Sequence, residues 1–175
     1  MHFAARIAAG ESVEEPGAYY NTNVAGTISL LEAMVAEGVD KMLFSSAAAV
    51  YGNPEQVPIA ENHVLKPINP YGHSKRFVEQ ILADFAIAMG GRSIVLRHFN
   101  AAGADPDNEI GEAHNRETHI IPLTLAAARA GRPITIFGQD YDTRDGTCIR
   151  DYIHVSDLVD AHPLALQHLQ MSNGF

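Results

Sequence analysis

The stretch Asn69-Pro-Tyr71-Gly-His-Ser-Lys75, continued by Arg76 to Met89 and then Gly90-Gly91, reads as one helix with both ends marked. Asn69 is an N-cap and Pro70 a first helical residue, because the cap side chain accepts from an unpaired N–H and proline has none to leave unpaired. The paired glycines stop the helix at about Met89. Tyr71 and Lys75 lie four residues apart and so share a face. Val78, Leu82, Phe85 and Met89 continue that stripe, while Arg76, Glu79 and Gln80 fall elsewhere. A lysine in line with an apolar stripe is not what a solvated face predicts. Spacing alone leaves two readings. In one, Lys75 snorkels and Tyr71 packs at the helix end. In the other they are an acid–base pair, the ammonium stabilising a phenolate whose free pKa of about 10 makes it a poor base.

The flanks alternate between helix and strand periods. Residues 17–37 place Val24, Ile28, Leu31 and Val35 at helical spacing, with Gly38 as the stop. Residues 41–45 are short and apolar, as a buried parallel strand is, and residues 52–67 are turn-rich. Residues 93–97 and 134–137 read as strands, and 121–130 and 156–169 as helices, the last expected to kink at Pro163. Residues 105–117 are the most polar and read as a loop. This alternation predicts an α/β fold with a largely parallel sheet. The length of 175 residues suits one domain with a substantial core.

The net charge of −9 argues against nucleic acid or an anionic membrane as a general partner. The single Cys148 excludes an internal disulfide framework and fits a reducing cytoplasm. No apolar run approaches the roughly 20 residues that span a bilayer, and residues 1–5 have no signal-peptide pattern. Nothing resembles a G-x-G-x-x-G phosphate loop. His63, His114, His162 and His168 lack metal-ligand spacing and read as surface residues. Asp105, Asp107 and Glu109 are out of register for a calcium loop. No metal is expected.

Longer strings carry a resemblance. His2 to Ala5 (HFAA), Gly10 to Val13 (GESV), Tyr19 to Thr27 (YYNTNVAGT), Phe44 to Pro54 (FSSAAAVYGNP) and Asn69 to Lys75 (NPYGHSK) resemble the extended, sugar-nucleotide branch of the short-chain dehydrogenase/reductase family. So do Leu96 to Ala104 (LRHFNAAGA), Glu117 to Pro122 (ETHIIP) and Asp145 to Val155 (DGTCIRDYIHV). Within that branch the strings are similar to the UDP-glucose 4-epimerases, in order along the whole chain. The resemblance implies a Rossmann-like doubly wound parallel sheet, incomplete here, with the start of a smaller substrate domain. Residues 1–104 would be the C-terminal portion of an NAD-binding domain, and 105–175 a segment for nucleotide-sugar binding and the last sheet elements. It implies NAD as cofactor, a UDP-sugar substrate, C4 epimerisation between UDP-glucose and UDP-galactose in galactose metabolism, and a homodimer through helices such as 69–89. It further implies an internal fragment, without the phosphate loop and the C-terminal part, that is inactive alone. The alternatives are a truncated, non-catalytic product, or an epimerase of another UDP-sugar, an N-acetylhexosamine or a pentose. A 4,6-dehydratase is set aside, since its acid–base pair would stand where Ala48 and Ala49 do.

By the same resemblance Tyr71 is the base, and Lys75 holds the nicotinamide ribose and tunes Tyr71. Phe3, Ala4, Ala5, Thr22, Asn23, Ser45 and Phe99 line the dinucleotide, although small residues such as Ala4 and Ala5 would equally suit a tight turn. Thr22 stands where relatives often have asparagine. Asn100, His119, Ile120, Thr135, Ile136 and Phe137 line the nucleotide sugar. Arg150 is the diphosphate ligand, its fixed fork suiting phosphate oxygens, or else a surface partner of Asp145 or Asp151. Two residues depart from the pattern. Ala47 replaces a Ser or Thr whose hydroxyl would bond the reacting sugar oxygen, and His98 replaces tyrosine. Ser46 cannot substitute, because neighbouring strand residues point to opposite faces.

Overall fold

The computed structural model describes residues 1–107, 109–114 and 117–171. Asn108, Asn115 and Arg116 of the expected loop, and residues 172–175 of the expected second segment, lie outside the described residues. The chain forms two compact units, Met1–His98 with the stretch from Ala161 on, and Phe99–Asp160. The change of unit falls after His98, where the resemblance implied a boundary after Ala104.

In the first unit, α1 is Ala9–Glu14 and α2 Pro16–Tyr19. The chain winds on through a π-helical turn, Tyr20–Ala25, into α3, Gly26–Ala36. The expected helix over 17–37 is therefore present but locally under-wound. Gly38, at φ +66°, turns the chain in the left-handed region that glycine adopts without strain. Strand β1, Lys41–Ala47, follows and runs into a single 3₁₀ turn, Ala48–Val50.

Helix α4 is Pro70–Met89. The Asn69 side chain accepts from the Gly72 N–H at 2.8 Å, and the helix closes on Gly90 at φ +72°. Both end signals act as read. Strand β2, Arg92–His98, pairs with β1 in parallel, Lys41 opposite Arg92 through Ala47 opposite His98. His2 joins the other edge of β1, donating its N–H to the Leu43 carbonyl and accepting from the Ser45 N–H. Met42 and Phe44 on one face of β1 pack with Leu31, Val78 and Leu82, which form the core cluster. No described helix is long and apolar enough to cross a membrane.

Two residues of α4 correct the stripe. Glu79 is buried, and Met89 is 60% exposed. Lys75, Glu79 and Leu82 all turn inward because the helix lies along the sheet face from its first turns, and its last turn projects past it.

In the second unit, strand β3, Asn100–Ala102, precedes α5, Ile120–Arg129. Strand β4, Tyr152–His154, pairs with β3 in parallel and runs directly into α6, Val155–Met171, which continues through Pro163. Neither β3 nor β4 was legible as a strand. The strand expected at 134–137 is absent, and Ile134, Ile136 and Phe137 are exposed. A strand is held by its neighbour's hydrogen bonds, and no described residue offers a pairing edge to this one. No described residue from 99 to 160 is buried.

Replacing Asn69 by alanine removes the N-cap and is expected to lower stability by about 1 kcal/mol. The urea-unfolding midpoint checks this.

Candidate active site

Lys75 is 3% exposed and donates from Nζ to the Ser45 carbonyl at 2.7 Å. Its ammonium lies 5.0 Å from the Phe44 ring centroid and 5.9 Å from that of Tyr71, in cation–π contact with both. The snorkelling alternative is therefore excluded. Burial depresses Lys75 to about 8 and pushes Tyr71 up to about 12. The expectation that Lys75 lowers the Tyr71 pKa is not met by these residues alone, because desolvation governs both groups. Burial, with the nearby Lys75 charge, also lowers His2 and His98. The latter is additionally opposed by His162, whose ring stacks at 5.3 Å.

The first turn of α4 is braced from behind. Ser74 is fully buried, and its hydroxyl donates to the Tyr71 carbonyl at 2.7 Å. The Asn23 amide donates to Ser74 Oγ at 2.9 Å and to the Arg6 carbonyl at 3.0 Å, and accepts from the Arg6 N–H at 2.8 Å. Asn23 thus ties the chain just after Phe3, Ala4 and Ala5 to the Tyr71–Lys75 turn. Its side chain faces inward from the π-helical turn, while Thr22 is exposed. Phe3 is 56% exposed, its ring 5.0 Å from His162. Ser74 was missed by sequence reasoning, although it adjoins Lys75 in the quoted string.

At the end of β1, Ala47 is buried and stands opposite His98. Ser46 is committed elsewhere, its hydroxyl donating to Glu79 Oε1 at 2.6 Å, as the alternation of strand faces requires. Gly72 lets the helix approach closely, since a Cβ there would stand 2.6 Å from the Ala49 carbonyl oxygen.

The remaining expected residues belong to the second unit. Asn100 donates from its side chain to the Asp151 carbonyl at 2.8 Å, which sets Phe99 and Asn100 beside the strand that follows Arg150. Arg150 is exposed and donates to the Ile149 carbonyl, and among the described residues it pairs with neither Asp145 nor Asp151. His119 precedes α5 as its cap residue and Ile120 begins it, both exposed. Thr135, Ile136 and Phe137 lie in the exposed, unpaired stretch. Linear spacing concealed one group. Glu112, His114, Glu117 and His119 bring one ligand-type atom each within 4.8 Å, and Glu112 Oε1 lies 2.6 Å from His119 Nδ1. His63 and His162 are half-buried, not surface residues.

A parallel sheet with a Tyr-x-x-x-Lys helix across its strand end defines the short-chain dehydrogenase/reductase type of α/β domain. Residues 1–174 match the model of the NAD dependent epimerase/dehydratase family, and the chain belongs to that family. It is 55% identical over 170 residues to the UDP-glucose 4-epimerase of Rhizobium meliloti, covering 97% of this chain and 52% of that protein. It superposes on the Brucella ovis UDP-glucose 4-epimerase crystallised with NAD at TM-score 0.93 and 51% identity, over 99% of this chain and 54% of the other. The Stenotrophomonas maltophila UDP-glucose 4-epimerase, with bound NAD and formylated UDP-arabinopyranose, gives TM-score 0.91 and 43% identity over 97% and 52%. The chain spans about half the length of the curated relatives it matches.

The buried lysine predicts a pH dependence. From about 8, its folded value, to 10.5 the unfolded chain holds more protons, so the fold gains stability as pH rises. Tyr71 acts oppositely from 10 to about 12, where the folded chain keeps a proton the unfolded chain has lost. The difference in unfolding free energy between wild type and Lys75→Met is therefore expected to move in favour of wild type between pH 8 and 10.5. Urea titrations at stepped pH measure it, and a flat difference contradicts the buried ammonium.

Proposed function

We propose that this chain carries the acid–base half of an NAD-dependent enzyme that inverts C4 of a UDP-hexose, interconverting UDP-glucose and UDP-galactose. The observation that carries the reading is the buried Lys75 ammonium, bonded to one carbonyl and sharing a helix face with Tyr71 at the end of a parallel strand. An ammonium has three donors. The Ser45 carbonyl takes one, which leaves donors for the ribose hydroxyls of a dinucleotide. The exposed Phe3–Ala4 backbone, held by Asn23 through Arg6, suits close approach of the same molecule. When bound, the nicotinamide supplies the hydride exchange and a positive charge near the tyrosine.

Tyr71 is the group that takes and returns the sugar hydroxyl proton. At about 12 its phenol is a weak acid, so added positive charge is what makes it an effective base. Asn100, His119, Ile120, Thr135, Ile136, Phe137 and Arg150 are proposed as the nucleotide-sugar contacts, Arg150 at the diphosphate, where its exposed guanidinium is free of carboxylate partners among the described residues. The exposed Phe77 ring, with the half-buried Tyr20, Val24 and Ile28 beside it, supports self-association of the whole protein through α3 and α4.

In the protein that carries this chain, Tyr71→Phe is expected to lower turnover of UDP-galactose by about 10²–10⁴-fold. Ala47→Ser is expected to raise it by roughly tenfold or more, restoring a hydroxyl beside the reacting oxygen. Parallel assays with UDP-N-acetylhexosamine and UDP-pentose assign the sugar. Unchanged turnover in Tyr71→Phe overturns the mechanism.

A further inference from the structure

Tyr71, Lys75 and Glu79 stand at successive turns of α4, and only the first two have a part in the chemistry. The Glu79 side chain is 5% exposed. It accepts from Ser46 Oγ at 2.6 Å on β1, and from Arg97 Nε at 3.1 Å and Nη2 at 2.9 Å on β2. Ser46 and Arg97 are register partners, so one carboxylate grips both strands at the same level. The other side of Arg97 donates from Nη1 to Tyr51 Oη at 3.0 Å and to the Glu61 carbonyl at 3.1 Å, and its guanidinium lies over the Tyr51 ring at 5.1 Å. Helix, two strands, the 3₁₀ turn and the loop beyond it are thus joined at one ion pair.

A buried pair of this kind is a poor way to gain stability, since desolvating two charges costs about as much as their attraction returns and an apolar pair would pack as well. What it gives is direction. Leucine and methionine could slide along the sheet, whereas a two-pronged guanidinium–carboxylate contact has one geometry. One turn before Glu79, Lys75 meets the carbonyl of Ser45, the residue adjoining Ser46. The two contacts are consecutive rungs between α4 and β1.

We propose that Glu79 and Arg97, with Ser46, are positioning residues that hold α4 in the register at which the Lys75 ammonium reaches the Ser45 carbonyl and Tyr71 stands at the strand end. The effect on catalysis rests on the function proposed above, because displacement of such groups by about 1 Å costs about 10²-fold. The effect on Lys75 does not.

The test is the titration of Lys75 in the folded chain, followed by NMR of ¹³Cε-lysine, for which the sequence offers only Lys41, Lys66 and Lys75. In the double variant Glu79→Leu/Arg97→Met, which leaves no lone buried charge, thermal stability is expected to hold while Lys75 rises from about 8 toward 10.5 as water reaches it. A folded double variant whose Lys75 still titrates near 8 overturns the proposal. If the double variant does not fold, Glu79→Gln decides by the same reading, a rise supporting the proposal and no change overturning it. In the protein that carries this chain, Glu79→Gln is further expected to lower kcat with KM unmoved. A Lys75 shift without any wild-type epimerase activity would refute the proposed function and leave the positioning role standing.

Discussion

An ammonium taken out of water needs a fixed oxygen to receive it, and in this chain the oxygen is a strand carbonyl. The Lys75–Ser45 contact constrains everything near it. It requires α4 to lie against β1 from the first turn, which needs a glycine at position 72, where the helix passes the Ala49 carbonyl. It requires a helix start with no slack, which Asn69 and Pro70 provide. Burial lowers His2 and His98 in the same region, and the Lys75 charge adds to both shifts.

The bracing around that contact is polar and almost wholly internal. Asn23, Ser74 and Arg6 close one side, and Ser46, Glu79 and Arg97 the other. The side chains of Asn23, Ser74, Ser46, Glu79 and Arg97 are all hydrogen-bonded, which favours one arrangement around Tyr71. The π-helical turn belongs to the same design. An extra residue in the turn directs Asn23 inward on a surface helix whose neighbouring Thr22 stays exposed. The second unit is built differently. Its strands are three residues long, none of its described residues is buried, and its apolar side chains face outward.

Legibility followed the range of the interactions. The ends of α4, the stop at Gly38 and the strands, read at 41–45 and 93–97 and observed at 41–47 and 92–98, were readable because caps, glycine conformations and apolar runs act within a few residues. Glu79 was misread as lying off the buried face, since its solvent substitute, Arg97, comes from β2, 18 residues later. Residues 134–137 were misread as a strand because an apolar run states a preference and pairing needs a partner edge. Asn100–Ala102 and Tyr152–His154 were missed for the converse reason, their short sequences becoming strands only against each other.

The sequence by itself determined that this is a parallel α/β chain of the epimerase type with Tyr71 and Lys75 on one helix face, because helical period and a run of near-contiguous motifs are local properties. It also determined that Ala47 has no hydroxyl and that Ser46 would point away. Only the tertiary structure decided that Lys75 is buried on the Ser45 carbonyl, that burial outweighs the lysine charge at Tyr71, and that Asn23, Ser74, Glu79 and Arg97 hold the pair in place. Those outcomes depend on how much water is removed and on which groups from distant segments replace it, and neither quantity is carried by any one stretch of chain.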